Sequence, residues 1–285
     1  MLRAATLPLY VFNTFDAFWN RKKTQKVVSA LLAMVFLVGL LVIELNRRGL
    51  LPEDLARNVP LNHFQAVSLA FYLLLVVEII SLILVMGSSM SRSVVKELEI
   101  LALIMLRNAF KTLGEMQEPI DPSQDVFALA SIGTNCLAAV IIFICTSVYE
   151  RTQCEACATS KDKESPIYIG AKKYTALVLL LLFLGDGSLH IGALFTGSED
   201  LAEQASFFAR FYTLLIFADL FLLLASEGVT HNAIMLFRNS GYAAGALFMR
   251  MALGAPHFWD AGLGVFAALY IIAVSYAVKH LQLQK

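Results

Sequence analysis

Long apolar stretches separated by short polar segments occupy most of the chain. A helix needs ~20 predominantly apolar residues to cross a hydrocarbon core of ~30 Å. Stretches of that length occur near residues 26–46, 64–87, 124–148, 171–196, 206–227, 232–253 and 261–280. The pattern predicts an all-α fold, a polytopic integral membrane helix bundle, rather than a water-soluble domain.

One further segment, residues 93–113, has a shorter apolar core with charges on both sides of it. It either lies flat on the membrane or crosses it with its charges facing other helices. Lys and Arg are retained on the cytoplasmic side, and this rule distinguishes the two arrangements. If 93–113 crosses, both termini and most of the 22 Lys and Arg residues share one side. If it lies flat, the basic clusters at 21–26 and 161–173 face opposite sides.

We therefore predict about eight transmembrane helices, with both termini in the cytoplasm. The expected location is the plasma (inner) membrane. The most polar internal segment divides the chain. Residues 1–148 would form an N-terminal interfacial helix and a four-helix half, 149–170 a cytoplasmic linker, and 171–285 the second four-helix half. The predicted interfacial anchors of the first segment are Tyr10, Phe12, Phe15, Phe18 and Trp19.

The two predicted halves resemble each other in the order of their charged residues. Each contains a Phe-Tyr pair, an acid and an Arg-Asn pair in that order: Phe71-Tyr72, Glu78 and Arg107-Asn108, then Phe211-Tyr212, Asp219 and Arg238-Asn239. The match predicts a tandem 4+4 repeat whose copies are related by an axis along the membrane normal. The spacings differ between the copies. The alternative is that the match arose by chance, since short matches are common in sequences dominated by a few apolar residue types.

Composition supports the membrane class and argues against several functions. The chain is 58% hydrophobic and 15% charged, with a mean hydropathy of +0.70, whereas soluble domains are roughly 25% charged. Its 22 basic and 22 acidic residues balance, so we expect no global basic surface that would attract nucleic acid. Motifs such as GxxxxGK[ST], GxSxG and HExxH are absent. We expect no enzyme activity, no cofactor and no nucleic-acid partner.

Two acids lie deep in predicted spans, Glu78 in the second and Asp219 in the sixth. An unpaired carboxylate there costs several kcal/mol, so intramembrane acids commonly handle protons or cations. We predict that both line an ion pathway, with Arg107 and Arg238 as counter-charges. The alternative is that each acid pairs with an arginine only to fix the register of two helices.

The segment GDGSLHIG in the fifth predicted span contains Asp186 and His190. A spacing of four places them one turn apart on one helix face, where they could bind a metal or relay a proton. Gly185 and Gly187 loosen the helix around them. We include both in the predicted ion pathway; a simple satisfied polar contact is the alternative.

Cysteine and histidine suggest two weaker hypotheses. Cys154 and Cys157 form a CxxC in the polar loop, which is half of a tetrahedral zinc site and otherwise a free dithiol. A bis-histidine haem needs two facing imidazoles, yet only His190 lies well within a predicted span.

The sequence thus favours a channel or transporter for protons or a small inorganic ion. The alternatives are a non-catalytic scaffold or subunit of a larger membrane complex and, third, a redox subunit that binds haem. The expected partners are the lipid bilayer, the ion, and a second copy of the chain or a partner membrane subunit.

Overall fold

The computed structural model describes residues 2–50, 52, 61–88, 90–114, 116, 125–157, 166–196, 201–228 and 233–283. Over these ranges the chain is helical and contains no strand, which confirms the all-α prediction. The described residues form nine helices: α1 (Leu2–Trp19), α2 (Lys22–Arg47), α3 (Phe64–Met86), α4 (Met90–Gly114), α5 (Val126–Cys157), α6 (Pro166–Thr196), α7 (Leu201–Glu227), α8 (Ala233–Gly254) and α9 (Trp259–Leu283).

Six of these helices, α2, α3, α5, α6, α7 and α9, contain an apolar segment long enough to cross a membrane. The chain is therefore a helical, multi-pass membrane protein. Helices α4 and α8 are long enough but more polar, and they are not among the six. A total of eight crossings, and the side on which the termini lie, stay predictions.

The polarity of α4 and α8 follows from their place in the bundle. Helix α4 packs against α3, α5 and α8, and α8 packs against α7 and α9 as well as α4. Neighbouring helices cover residues such as Leu98 and Met105 in α4 and Tyr242 and Met249 in α8. A helix surrounded by protein needs less apolar surface than a helix surrounded by lipid, so it can carry polar and charged residues.

The bundle has two hydrophobic cores. The first is formed by α4, α5, α8 and α9, around residues such as Leu101, Ile142 and Ile271. The second is formed by α1, α3, α6 and α7, around Ile83 and Leu215 among others. Each core draws helices from both predicted halves of the chain, so the halves interlock. The 4+4 repeat itself stays a prediction.

Helix α8 approaches α9 closely through two glycines one turn apart. A Cβ added at Gly241 would lie 2.6 Å from Val274 Cγ1, and one at Gly245 would lie 2.5 Å from Ile271 Cγ1. Small residues four positions apart are a common device for bringing membrane helices together. The segment GYAAG therefore holds α8, and the charge it carries, against α9.

Helix α1 lies against the bundle with one side and is open on the other. Phe12 is buried in the second core, and the Trp19 indole N–H donates to Ser81 Oγ at 3.0 Å. Tyr10 and Phe18 are 73% and 51% exposed. Aromatic side chains on an outward face suit the membrane interface. At the other predicted boundary, α5 continues to Cys157 and α6 begins at Pro166, so parts of the 149–170 linker are helical.

Candidate functional site: a buried charge cluster

Three charged side chains from three helices meet inside the bundle. Arg250 of α8 lies between Glu97 of α4 and Asp219 of α7, with Nη2 3.5 Å from Glu97 Oε1 and Nε 3.4 Å from Asp219 Oδ2. Their side chains are 1%, 6% and 11% exposed, respectively. The cluster joins the two cores, because α7 belongs to one core and α4 and α8 belong to the other.

Arg250 reaches the cluster because of the direction in which helical side chains point. It lies one turn before the end of α8 at Gly254, whereas Asp219 is near the middle of the apolar segment Phe207–Glu227 of α7. Side chains of a helix lean towards its N-terminus. The long guanidinium arm therefore extends back along α8 to the depth of the two acids.

The ion pairs of the cluster are loose. Charge-assisted N–H···O contacts are commonly ~2.7–2.9 Å long, whereas the two contacts of Arg250 are 3.5 and 3.4 Å. Asp219 Oδ2 is buried and accepts no hydrogen bond from the described residues. Two carboxylates thus share one guanidinium without being locked to it, an arrangement that leaves acceptor capacity for a proton, a water molecule or a cation.

A cavity of about 40 Å³ adjoins the cluster. Glu97 and Asp219 form part of its polar wall, together with Ser93, Tyr168 and Lys172. A water molecule needs ~10–15 Å³ of such space and at least two polar partners. The cavity therefore has room for a few waters beside the carboxylates.

Lys172 is a second buried cation at this cavity and is only 2% exposed. Its Nζ donates to the Ser88 carbonyl oxygen at 3.3 Å and lies 4.6 Å from the centre of the Tyr168 ring. Contacts with a carbonyl oxygen and an aromatic face stabilise an ammonium away from bulk water. Two acids and one cation, Lys172, therefore line the cavity, and Arg250 contacts both of these acids.

Glu78 of α3 forms a separate ion pair with Arg107 of α4. The Glu78 side chain is 8% exposed and that of Arg107 is 24% exposed. This pair also links the two cores, since α3 and α4 belong to different ones. Glu78 thus has an arginine of its own, whereas Asp219 shares Arg250 with Glu97.

The other predicted site residues are not brought into this cluster. Asp186 lies on an exposed face of α6. His190 belongs to the same helix, but its side chain is outside the described part of the structure. Arg238, half-buried, lies 12 positions before Arg250 in α8, which is about 18 Å along a helix. Arg238 therefore lies far along the helix from Arg250, which is the arginine that contacts Asp219.

The described residues provide no set of ligands that would support the metal or haem hypotheses. The side chains of Cys154 and Cys157 lie outside the described residues, while Cys136 and Cys145 are free. Among the residues that the structure describes, no group of three or more His, Cys, Asp or Glu side chains could hold a metal. Of the described histidines, His63 pairs with Glu44 at 3.3 Å and His257 contacts Ser131 at 3.3 Å.

Sequence reasoning missed three members of the site: Glu97, Lys172 and Arg250. Glu97 and Lys172 lie in segments rich in charge, where a cation or an acid is normally interpreted as solvated. Arg250 carried the clearest signal, because an arginine inside an apolar span is itself a candidate for function. The apparent Arg-Asn repeat directed attention to Arg238 instead.

No protein-family model, curated protein or solved structure matches the chain.

Proposed function

We propose that the chain is a membrane transport protein for protons or a small inorganic cation. Its path would pass the Glu97–Arg250–Asp219 cluster. The observation that carries the proposal is a cavity with room for a few water molecules, beside two carboxylates that share one loosely held guanidinium. Buried carboxylates next to water can accept and release a proton or a cation at modest cost, whereas a fully paired acid cannot.

Charge balance gives each member of the cluster a role. Arg250 lets the two acids exist inside the membrane by compensating part of their charge. Glu97 and Asp219 would hold the transported charge in turn. Lys172, on the other side of the cavity, would compete for the same carboxylates and so help to release the ion. Binding that is favourable but incomplete is what conduction requires.

Ion flux in liposomes tests the proposal. The purified chain is reconstituted with a pH-sensitive dye inside, and flux is driven by a potassium diffusion potential. Sodium is tested in the same way with a sodium dye, and potassium is tested with a potassium dye and a potassium gradient but without the potassium ionophore. We expect flux well above that of empty liposomes. Glu97→Gln and Asp219→Asn should each lower it by about tenfold or more, which corresponds to a barrier increase of at least ~1.4 kcal/mol.

Two matched variants control for unrelated effects. Glu99 is on the same helix as Glu97 but pairs with Lys96 on an exposed surface at 3.1 Å, so Glu99→Gln should retain flux. Asp186→Asn should retain it as well, because Asp186 lies on the exposed face of α6. Wild-type flux equal to that of empty liposomes, or unchanged flux in both cluster variants, would rule out the proposed path.

One observation favours a second function, that of a non-catalytic subunit. Helix α2 packs mainly against α3 among the described helices, and it exposes Leu31, Met34, Val38 and Leu41 by 50%, 59%, 52% and 61%. Their spacing of three, four and three residues suits packing against another helix. A stoichiometric membrane partner recovered with the chain, together with an absence of flux, would support this function over transport.

A further inference from the structure

A second, larger cavity opens at the end of the bundle where α3 ends and α4 begins. Its volume is about 660 Å³, which falls within the ~300–1,000 Å³ of typical small-molecule sites. Helices α1 and α4 contribute most of its polar lining. The ends of α5 and α6 contribute Glu150 and Lys173. This groove, which we call the α1 groove, does not include Glu97, Asp219 or Arg250.

Helices α1 and α4 each present polar residues to the groove on a single face. Asn13, Asp16 and Asn20 line the groove from α1, with spacings of three and four that place them on one side of the helix. Arg92, Lys96 and Glu99 line it from α4 with spacings of four and three. Each of the two helices thus contributes one face of charged or amide-bearing side chains to the groove.

The groove carries as many acids as cations. Its charged residues are Asp16, Glu99 and Glu150 and, on the basic side, Arg92, Lys96 and Lys173. Lys96 Nζ lies 3.1 Å from Glu99 Oε2, and Lys173 Nζ donates to Asn13 Oδ1 at 2.7 Å. Paired charges of both signs suit a ligand that also carries both signs better than they suit a simple anion.

The depth of the groove corresponds to the head-group layer. The apolar segments beside it end at Met86 in α3 and Thr152 in α5, and the one in α6 begins at Tyr168. Apolar residues line it as well, among them Phe12, Leu84 and Val85. A lining of charged, amide and apolar side chains at the boundary of the hydrocarbon suits a phospholipid head group and its first acyl carbons.

We propose that the α1 groove binds the head group of a zwitterionic aminophospholipid, with the phosphate at Arg92 and Lys96 and the ammonium at Asp16 and Glu150. A primary ammonium can donate three hydrogen bonds to carboxylate and amide oxygens, whereas the quaternary ammonium of choline can donate none. Partial burial also raises the pKa of Asp16, and its hydrogen bond with Asn20 and the charge of Lys173 only partly offset this. A bound ammonium would favour the ionised carboxylate. The site does not depend on the proposed transport function.

Native mass spectrometry of the full chain in detergent tests this site. The protein is titrated with phosphatidylethanolamine, phosphatidylcholine and phosphatidylglycerol that have identical acyl chains. We expect the first phosphatidylethanolamine molecule that binds to do so about tenfold more tightly than the first molecule of phosphatidylcholine or phosphatidylglycerol. One good charge-assisted contact has an effect of this size. Glu150→Gln, at the ammonium, should remove this preference, whereas Arg92→Gln, at the phosphate, should weaken the binding of all three lipids. Both side chains are exposed, so the fold should tolerate the changes.

Lys23→Gln is the matched control, because Lys23 is an exposed cation at the first turn of α2 and does not line the groove. It should leave lipid preference unchanged. Soluble phosphoethanolamine separates the two sources of this head group, and it should compete only at far higher concentration than the lipid. Equal binding of the three lipids by the wild type, an unchanged preference in Glu150→Gln, unchanged lipid binding in Arg92→Gln, or binding of soluble phosphoethanolamine alone would each overturn the proposal.

Discussion

At the residue scale, the molecule is characterised by how it accommodates charge away from water. Two buried acids have an arginine within ion-pair reach, Glu78 with Arg107 and Asp219 with Arg250. The two arrangements differ in one respect: Arg250 also serves Glu97, at 3.5 Å. The first pair is consistent with a structural role, whereas the shared arginine leaves an acid incompletely compensated beside a cavity.

Breaking the Glu78–Arg107 pair should destabilise the fold. Arg107→Met leaves a buried, uncompensated carboxylate, and such losses typically cost ~3–5 kcal/mol. Adding Glu78→Gln in the same chain should recover much of that loss, because it removes the orphaned charge. Thermal or denaturant unfolding in detergent measures both variants. Lys96→Gln breaks an exposed pair and should cost under ~1 kcal/mol; equal losses for Lys96→Gln and Arg107→Met would contradict this interpretation.

The sequence revealed the buried acids but not all of their partners. Glu78 and Asp219 stand out because a carboxylate in an apolar run is rare. Partner choice depends on how far one helix is displaced along another and on the direction of each side chain, which local sequence does not encode. Arg250 therefore required three-dimensional information, as did Glu97, which pairs with Arg250, an arginine more than 150 positions away in the sequence.

At the element scale, the helices that carry charge are those that other helices cover. Helices α4 and α8 occupy the middle of the bundle. Helix α2, the least buried of the six apolar segments, exposes a long apolar face. The apolar pattern located the six clearest spans by position but left 93–113 ambiguous. A central helix does not need to match the polarity of lipid, so hydropathy alone underestimates it.

The close approach of α8 to α9 should be sensitive to a single methyl group. Gly245→Ala would place a Cβ 2.5 Å from Ile271 Cγ1, and relieving such overpacking typically costs ~1–3 kcal/mol. Unfolding in detergent measures the loss. Gly262→Ala is the control, because nothing lies within 4 Å of a Cβ at that position of α9. A Gly245→Ala variant as stable as Gly262→Ala would show that the contact is not tight.

The docking of α1 should depend on pH through Asp16. Burial raises the pKa of Asp16 above its ordinary value of 3.8. The folded state therefore holds the proton more readily than the unfolded state, so stability falls as pH rises from 3.8 through the raised pKa and is constant above it. Asp16→Asn should abolish this trend. Limited proteolysis of α1 across that pH range measures it, and parallel profiles for wild type and Asp16→Asn would contradict the assignment.

At the scale of the whole molecule, ion pairs connect two hydrophobic cores. One core contains α4, α5, α8 and α9 and the other contains α1, α3, α6 and α7. The second and third helices of each predicted half are bridged by an acid and an arginine, α3 to α4 and α7 to α8. A duplicated four-helix unit would produce this correspondence, although the sequence similarity that suggested the repeat aligned Arg238 rather than Arg250.

Eight crossings predict that the two ends of α4 lie on opposite sides of the membrane. Arg92 and Lys111 are exposed residues near those ends. After the native cysteines are replaced, Arg92→Cys and Lys111→Cys should react with a membrane-impermeant maleimide from opposite sides of sealed vesicles. Lys23→Cys, at the start of α2, should label from the same side as Arg92→Cys. Labelling of both ends of α4 from one side would show that this helix does not cross.

The most direct test of the central claim is to measure flux and stability on the same preparation of Asp219→Asn. The amide keeps the shape of the side chain but cannot carry the negative charge. We predict that flux in liposomes falls by about tenfold or more while the unfolding temperature stays close to that of the wild type. An ion path through the buried cluster would be contradicted if Asp219→Asn kept the flux of the wild type. It would also be contradicted if the variant lost flux only to the extent that it unfolded.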